Sequence, residues 1–163
     1  MDGTYTAQAH AALESLPLVD GVAETVLWCR RRGLLPVLAT LAWEVVGTHL
    51  CDRFGFDRAC GPRLQMVDGR YDGRVAEYFD ELCKRDYARS VATDLGVDLG
   101  RCVAVGDGRS DVPLFADVGL AIAFNATPAA RAAAHVHVDT TDLRAVLPHI
   151  AAWLNAAHTS PSD

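Results

Sequence analysis

The chain has no apolar run able to cross a membrane, since Leu34 to Leu38 is short and broken by Pro36. No segment has the pattern of a secretory signal. Its five cysteines, Cys29, Cys51, Cys60, Cys83 and Cys102, include no Cys-x-x-Cys pair. An odd number fits a reducing cytoplasm better than a disulfide framework, so the expected location is cytoplasmic, with no membrane partner. Positive charge is scarce: 15 basic against 21 acidic residues give a net charge of −6, which argues against a nucleic-acid partner. The one basic cluster, Arg30-Arg31-Arg32, precedes Gly33, where cations favour the end of a helix. Internal repeats and low-complexity linkers are also lacking.

Against these absences stand 163 residues of which 50% are apolar, enough for one domain with a real core. The pattern alternates helix and strand, the mark of a doubly wound, Rossmann-like parallel sheet in an α/β fold. Residues 6–16 and 21–32 read as helices, 35–39 as a buried strand, and 44–53 as a helix with Val45, Val46, His49 and Leu50 on one face. The segment RLQMVDGRYDGRV, from Arg63 to Val75, reads as a hairpin about Asp68-Gly69. A helix over 77–95 carries Lys84. There follow a strand at 102–105, a helix at 111–117, a strand at 119–124, a short helix at 128–134, a strand at 135–138 and a helix at 141–156. Residues 155–163 read as a frayed tail.

The densest signal is Arg101 to Ala126, RCVAVGDGRSDVPLFADVGLAIAFNA. Cys102 to Val105 lacks alternation, as a parallel strand buried on both faces would. Gly106 and Gly108 suit turns closed to other residues, Ser110 suits a helix N-cap, and Pro113 is tolerated in a first helical turn. Asp107 then lies at a strand's carboxyl end, the ligand crevice of an open α/β sheet. Asp111 is one turn further on, able to point at the same spot or to hold a neighbouring group. Paired acids there suit a hard cation such as Mg²⁺; the alternative is that both are turn and cap residues.

The run GDGRSDVPLF, the preceding Lys84 and Gly96-Val97, and the following DVGLAIAF together resemble the haloacid dehalogenase superfamily, most closely its phosphoserine-phosphatase-like branch. VDGVAETV and TTDLRAVL look like further segments of that family, and the resemblance spans residues 18 to 150. It implies a Mg²⁺-dependent hydrolase that takes a small phosphorylated substrate, a phosphomonoester, through an aspartyl-phosphate. Asp107 would be a metal ligand, with Asp111 also at the metal, orienting a bound water or the loop. Lys84 would neutralise the phosphoryl oxygens, and Thr40 would hydrogen-bond one of them. On this reading residues 18–154 form the core of a single domain with a small hairpin insertion, its cap absent or minimal.

Departures from the family pattern are equally specific. Leu41-Ala42-Trp43 stand where the branch has Gly-Gly after its serine or threonine, and Trp43 either lines a substrate pocket or packs at a helix start. At the amino terminus the family has an apolar strand ending Asp-x-Asp-Gly-Thr, whereas this chain starts Met1-Asp2-Gly3-Thr4. Either Asp2 is the general acid/base of that motif, or residues 1–17 are the remnant of a helical cap. Both readings leave the first, central strand missing and no nucleophilic aspartate, so the start is expected to be internal to a longer reading frame. A homodimer that covers the sheet gap is physically reasonable, though nothing in the residues demands it. His135 and His137 share one strand face and suit a metal or an edge strand, and Arg109 suits phosphate or solvent. The second function class is a non-catalytic protein of the same fold, acting by binding or assembly.

Overall fold

The structure, a computed structural model, describes residues 12–159. Helix α1 (Val22–Arg31) begins at Gly21, whose φ of 76° requires glycine. The entry to α1 is tied to a distant turn: Asp20 N–H donates to Thr141 O (2.9 Å) and Leu143 N–H to Asp20 O (2.8 Å). VDGVAETV and TTDLRAVL therefore meet in space. At the far end of α1 the arginines serve local ends. Arg30 donates to Gly55 O at 2.8 Å, and Arg32 lies 4.8 Å over the Trp28 ring.

Strand β1 (Val37–Ala39) leads to α2 (Glu44–Phe54) and to β2 (Arg58–Cys60), which pairs parallel with β1. The antiparallel hairpin of β3 (Arg63–Val67) and β4 (Arg70–Glu77) turns at Asp68 and Gly69, both at positive φ, as a tight two-residue turn needs. Helix α3 (Glu81–Asp94) follows, then β5 (Val103–Gly106), a 3₁₀ turn at Arg109–Asp111 and α4 (Val112–Phe115). The chain continues through β6 (Leu120–Phe124), α5 (Pro128–Ala133), β7 (Val136–Val138), a 3₁₀ turn at Leu143–Val146 and α6 (Leu147–Thr159).

β6 is the middle of a parallel sheet ordered β5–β6–β7, and all five of its residues are buried. Side chains alternate across a strand, so Leu120, Ile122 and Phe124 face one core with Val146 and Ile150. Ala121 and Ala123 face the other, with Phe115 and Ala130. Helices thus cover both faces, as a doubly wound sheet requires. The parallel strands fall into two groups, β2–β1 and β5–β6–β7, with no ladder between them among the described residues. α3 spans the two, packing on β1, on the Arg109–Asp111 turn and on α4.

Several boundaries differ from the sequence reading. The helix expected from residue 77 starts at Glu81, because residues 70–77 continue the hairpin. β2 was not anticipated: Arg58-Ala-Cys60 is too short and too polar to announce a strand, and only its pairing with β1 makes it one. The expected frayed tail is helical to Thr159, since Trp153 and Leu154 still pack on the core. The last helix is also divided, with a 3₁₀ turn before α6. Val45 faces outward, and Gly47 is the residue of α2 that is buried. Of the expected helix over 6–16, residues 6–11 lie outside the described residues, as does most of the segment read as a cap remnant or first motif.

Candidate active site

Parallel strands end together, so β1 and β5 deliver Thr40 and Asp107 to the carboxyl ends of their two strand groups. α3 supplies the third element. Its N-cap Asp80 accepts hydrogen bonds from Leu82 N and Cys83 N, each 2.9 Å, and these bonds, that from Cys83 foremost, hold the Asp80 carboxyl below its ordinary range. This capping sets the start of the helix, and Lys84 N–H donates to Asp80 O at 2.9 Å. Lys84 is consequently placed in the first turn.

Lys84 Nζ lies 2.7 Å from Asp111 Oδ1, with both residues buried, and 3.4 Å from Ser110 Oγ. The other Asp111 oxygen, Oδ2, accepts from Asp107 N (2.9 Å) and Gly108 N (3.0 Å). Asp111 therefore clasps the loop to α3. Lys84 is the only lysine in the chain, a signal available in the sequence. A lone lysine spent on a buried pair is a costly choice unless the charge has a use.

The two loop glycines differ in purpose. Neither has the positive φ expected of such a turn. A Cβ on Gly106 would fall 2.5 Å from Asp111 Oδ2 and 2.7 Å from its Cβ, whereas one on Gly108 would meet nothing closer than 3.9 Å. Ser110 is not the N-cap either; that position is Gly108, and Ser110 sits inside the 3₁₀ turn. Pro113 does occupy the first turn of α4.

Asp107 is exposed, and its carboxylate makes no hydrogen bond or ion pair among the described residues. Its carbonyl accepts from Thr127 N at 2.8 Å, which moors the loop to the end of β6. Asn125, at φ 47°, helps there: its side chain donates to Thr140 O (2.7 Å) and accepts from Thr140 N (3.0 Å). Its one signal in the sequence is residue type, since asparagine is among the non-glycine residues most at ease in that conformation. Gly61 has no such local signal; a Cβ there would collide with Ala42 O and sit 3.1 Å from Thr40 O.

Thr40 N–H donates to Cys60 O (3.1 Å), and its hydroxyl accepts from Ala42 N (3.0 Å), leaving its own O–H proton to donate elsewhere. Arg109 is exposed with no partner for its guanidinium among the described residues. Asp2 lies outside the described residues. The histidines have structural partners: His135 Nδ1 accepts from Ala121 N (2.9 Å), and His137 Nε2 lies 2.8 Å from Arg131 O. No three acidic, histidine or cysteine side chains cluster as a metal site among the described residues. Nor is any described helix long and apolar enough to cross a membrane.

A family model for haloacid dehalogenase-like hydrolases matches residues 1–116. The phosphoserine phosphatase of Methanocaldococcus jannaschii is 30% identical over 144 residues, covering 88% of this chain and 68% of that protein. That of Streptomyces coelicolor is 38% identical over 141 residues, covering 80% of this chain and 34% of its own length. Among solved structures, a phospho-aspartyl intermediate analogue of phosphoserine phosphatase aligns with a TM-score of 0.78 at 29% identity, over 86% of this chain and 68% of its own. A probable phosphoserine phosphatase from Vibrio cholerae, in unliganded form, aligns at 0.83 and 27%, over 94% of this chain and 48% of its own. The fold, the Lys84–Asp111 clasp beside Asp107 and these matches agree: the chain belongs to the haloacid dehalogenase-like hydrolases, in their phosphoserine-phosphatase-like branch.

Proposed function

We propose that this domain hydrolyses a small phosphomonoester through an aspartyl-phosphate, with Mg²⁺ as cofactor and the site built by Thr40, Lys84, Asp107 and Asp111. The observation that carries the reading is the chain's single lysine, buried and pinned by Asp111 beside the unpartnered Asp107 carboxylate. An ammonium has three N–H donors. Two point at Asp111 and Ser110, and the third remains for a phosphoryl oxygen. The Thr40 hydroxyl, already accepting from Ala42 N, donates to another.

Asp107 suits the cation: it is a hard oxygen donor, exposed at a strand end, without a competing protein partner among the described residues. Mg²⁺ takes few protein carboxylates and keeps several waters. When bound it would polarise a phosphoryl oxygen. Lys84 faces the charge that develops as phosphorus is attacked, and its burial strengthens that interaction. Asp111 keeps the ammonium aimed there. The attack itself needs the nucleophilic aspartate that the family pattern places ahead of Asp2, and proton transfer to and from the leaving oxygen is assigned to Asp2.

The test is hydrolysis of p-nitrophenyl phosphate with and without Mg²⁺ by the chain, by an upstream-extended version and by Asp107→Asn in each. Mg²⁺-dependent turnover that Asp107→Asn lowers at least about 100-fold is expected, the scale of removing an electrostatic group from such a site. Inactivity of both forms toward a broad phosphomonoester panel would move the protein to the second reading, a binding protein on the same fold. A cytoplasmic location and a homodimer that covers the open strand edges belong to the same proposal, and sedimentation tests the latter.

A further inference from the structure

The hairpin leaves the carboxyl end of β2 and returns to the start of α3, so both its feet stand at the edge that carries Thr40 and Lys84. Its first foot is welded to the Thr40 loop, because Glu44 N–H donates to Pro62 O at 2.9 Å and Gly61 packs on Thr40 O. Between the hairpin and the start of α2 lies a cavity of about 570 Å³, lined by Trp43, Leu64, Met66 and Tyr71 together with Glu44 and Arg63. That size is typical of a small-molecule site. Trp43, Met66 and Tyr71 remain exposed along it. Trp43 is three residues beyond Thr40, a reach of at most about 11 Å for extended chain. The turn made by the Thr40 hydroxyl on Ala42 N shortens it.

Arg63 lies 2.6 Å from Glu77 and 4.0 Å from Glu44, all three half exposed, so the charge of this cavity sits at its solvated rim. Its wall is aromatic and apolar, and the indole and phenol rings are suited to stack on a flat apolar group. We propose that this cavity is the subsite for the organic part of the substrate, and that it selects phosphomonoesters of aromatic alcohols over phosphoserine. For the reaction, this inference rests on the phosphatase reading; for binding, it does not.

Two measurements keep those failures apart. In hydrolysis, kcat/KM for 1-naphthyl phosphate should exceed that for phosphoserine by about tenfold or more, the scale of one good aromatic contact. Trp43→Ala and, on the exposed hairpin, Tyr71→Ala should each erase most of that preference through KM rather than kcat. In binding, the non-hydrolysable 1-naphthylmethylphosphonate should shift the Trp43 indole N–H resonance, identified by its loss in Trp43→Phe, while methylphosphonate should leave it in place. A resonance that moves in an inactive protein supports the subsite and fails only the phosphatase reading. An unmoved resonance at millimolar ligand overturns the subsite, whatever the rates. So does a dimer in sedimentation that Trp43→Ala dissolves, because the cavity is then an interface between copies.

Discussion

Replacing either glycine of the Gly106-Asp107-Gly108 loop by alanine adds one methyl group, yet the two outcomes should differ by several kcal/mol. At Gly106 the methyl would lie 2.5 Å from Asp111 Oδ2 and 2.7 Å from its Cβ, distances at which both atoms cannot remain. The carboxylate must leave. It then gives up the bonds from Asp107 N and Gly108 N and abandons Lys84, whose side chain is 10% exposed. Stranding one partner of a buried pair costs about 3–5 kcal/mol, a large share of a total of about 5–15 kcal/mol. At Gly108 the nearest atom would be Ser110 Oγ at 3.9 Å, and φ is −129°, so Gly108→Ala should cost under about 1 kcal/mol.

Urea unfolding followed by circular dichroism measures the difference in stability. The single lysine supplies a local probe. Acetylation at Lys84, read by mass, should be slow in the parent protein and in Gly108→Ala, and about 100-fold faster in Gly106→Ala, since 1.4 kcal/mol is a factor of ten. Equal stabilities for the two variants, or a Gly106→Ala protein whose Lys84 stays protected, would refute the clasp as described.

Three further outcomes follow from the packing and the charges. Ile122→Ala, at a position with no exposed surface in the middle strand, should lower stability by about 2–5 kcal/mol in urea, while Val105→Ala on exposed β5 surface should cost far less. Arg131 beside Asp139, Arg144 beside Asp142 and the Cys83 and Leu82 amides at Asp80 each depress a carboxyl. Folded pKa values below the unfolded value of about 3.9 mean stability that is full above that pH and lost as pH falls through the folded values; Asp142→Asn should flatten the acid limb of a stability–pH curve. Burial raises the Cys29, Cys51, Cys60 and Cys102 thiols, so iodoacetamide at pH 8 should label these four markedly more slowly in the folded protein than in urea.

Much of this protein was readable along the chain because the relevant signals are local. The β5–loop–α4 unit, the hairpin turn at Asp68-Gly69 and the helix ending at Gly33 each rest on short-range chemistry, and the structure keeps all three, except that β5, expected to be buried on both faces, leaves Val105 exposed. Family membership was legible for the same reason, in GDGRSD, Lys84 and DVGLAIAF taken in order. The features that residue type and spacing do not show depend on partners far away in sequence. β2 exists through β1, Gly61 matters through Thr40 and Ala42, and Asn125 acts through Thr140.

The sequence by itself determined the alternation of helix and strand, the acidic loop at a strand end and the one lysine that precedes it, since each is a matter of residue type and spacing. Only the tertiary structure decided how they are used. Folding brings Lys84 onto Asp111 across 27 positions, so that one aspartate becomes a clasp and its neighbour stays free. It also gives Gly106 and Gly108, alike in sequence, different reasons to be glycine. Spacing states which groups can meet; packing decides which carboxylate is consumed and which is left exposed.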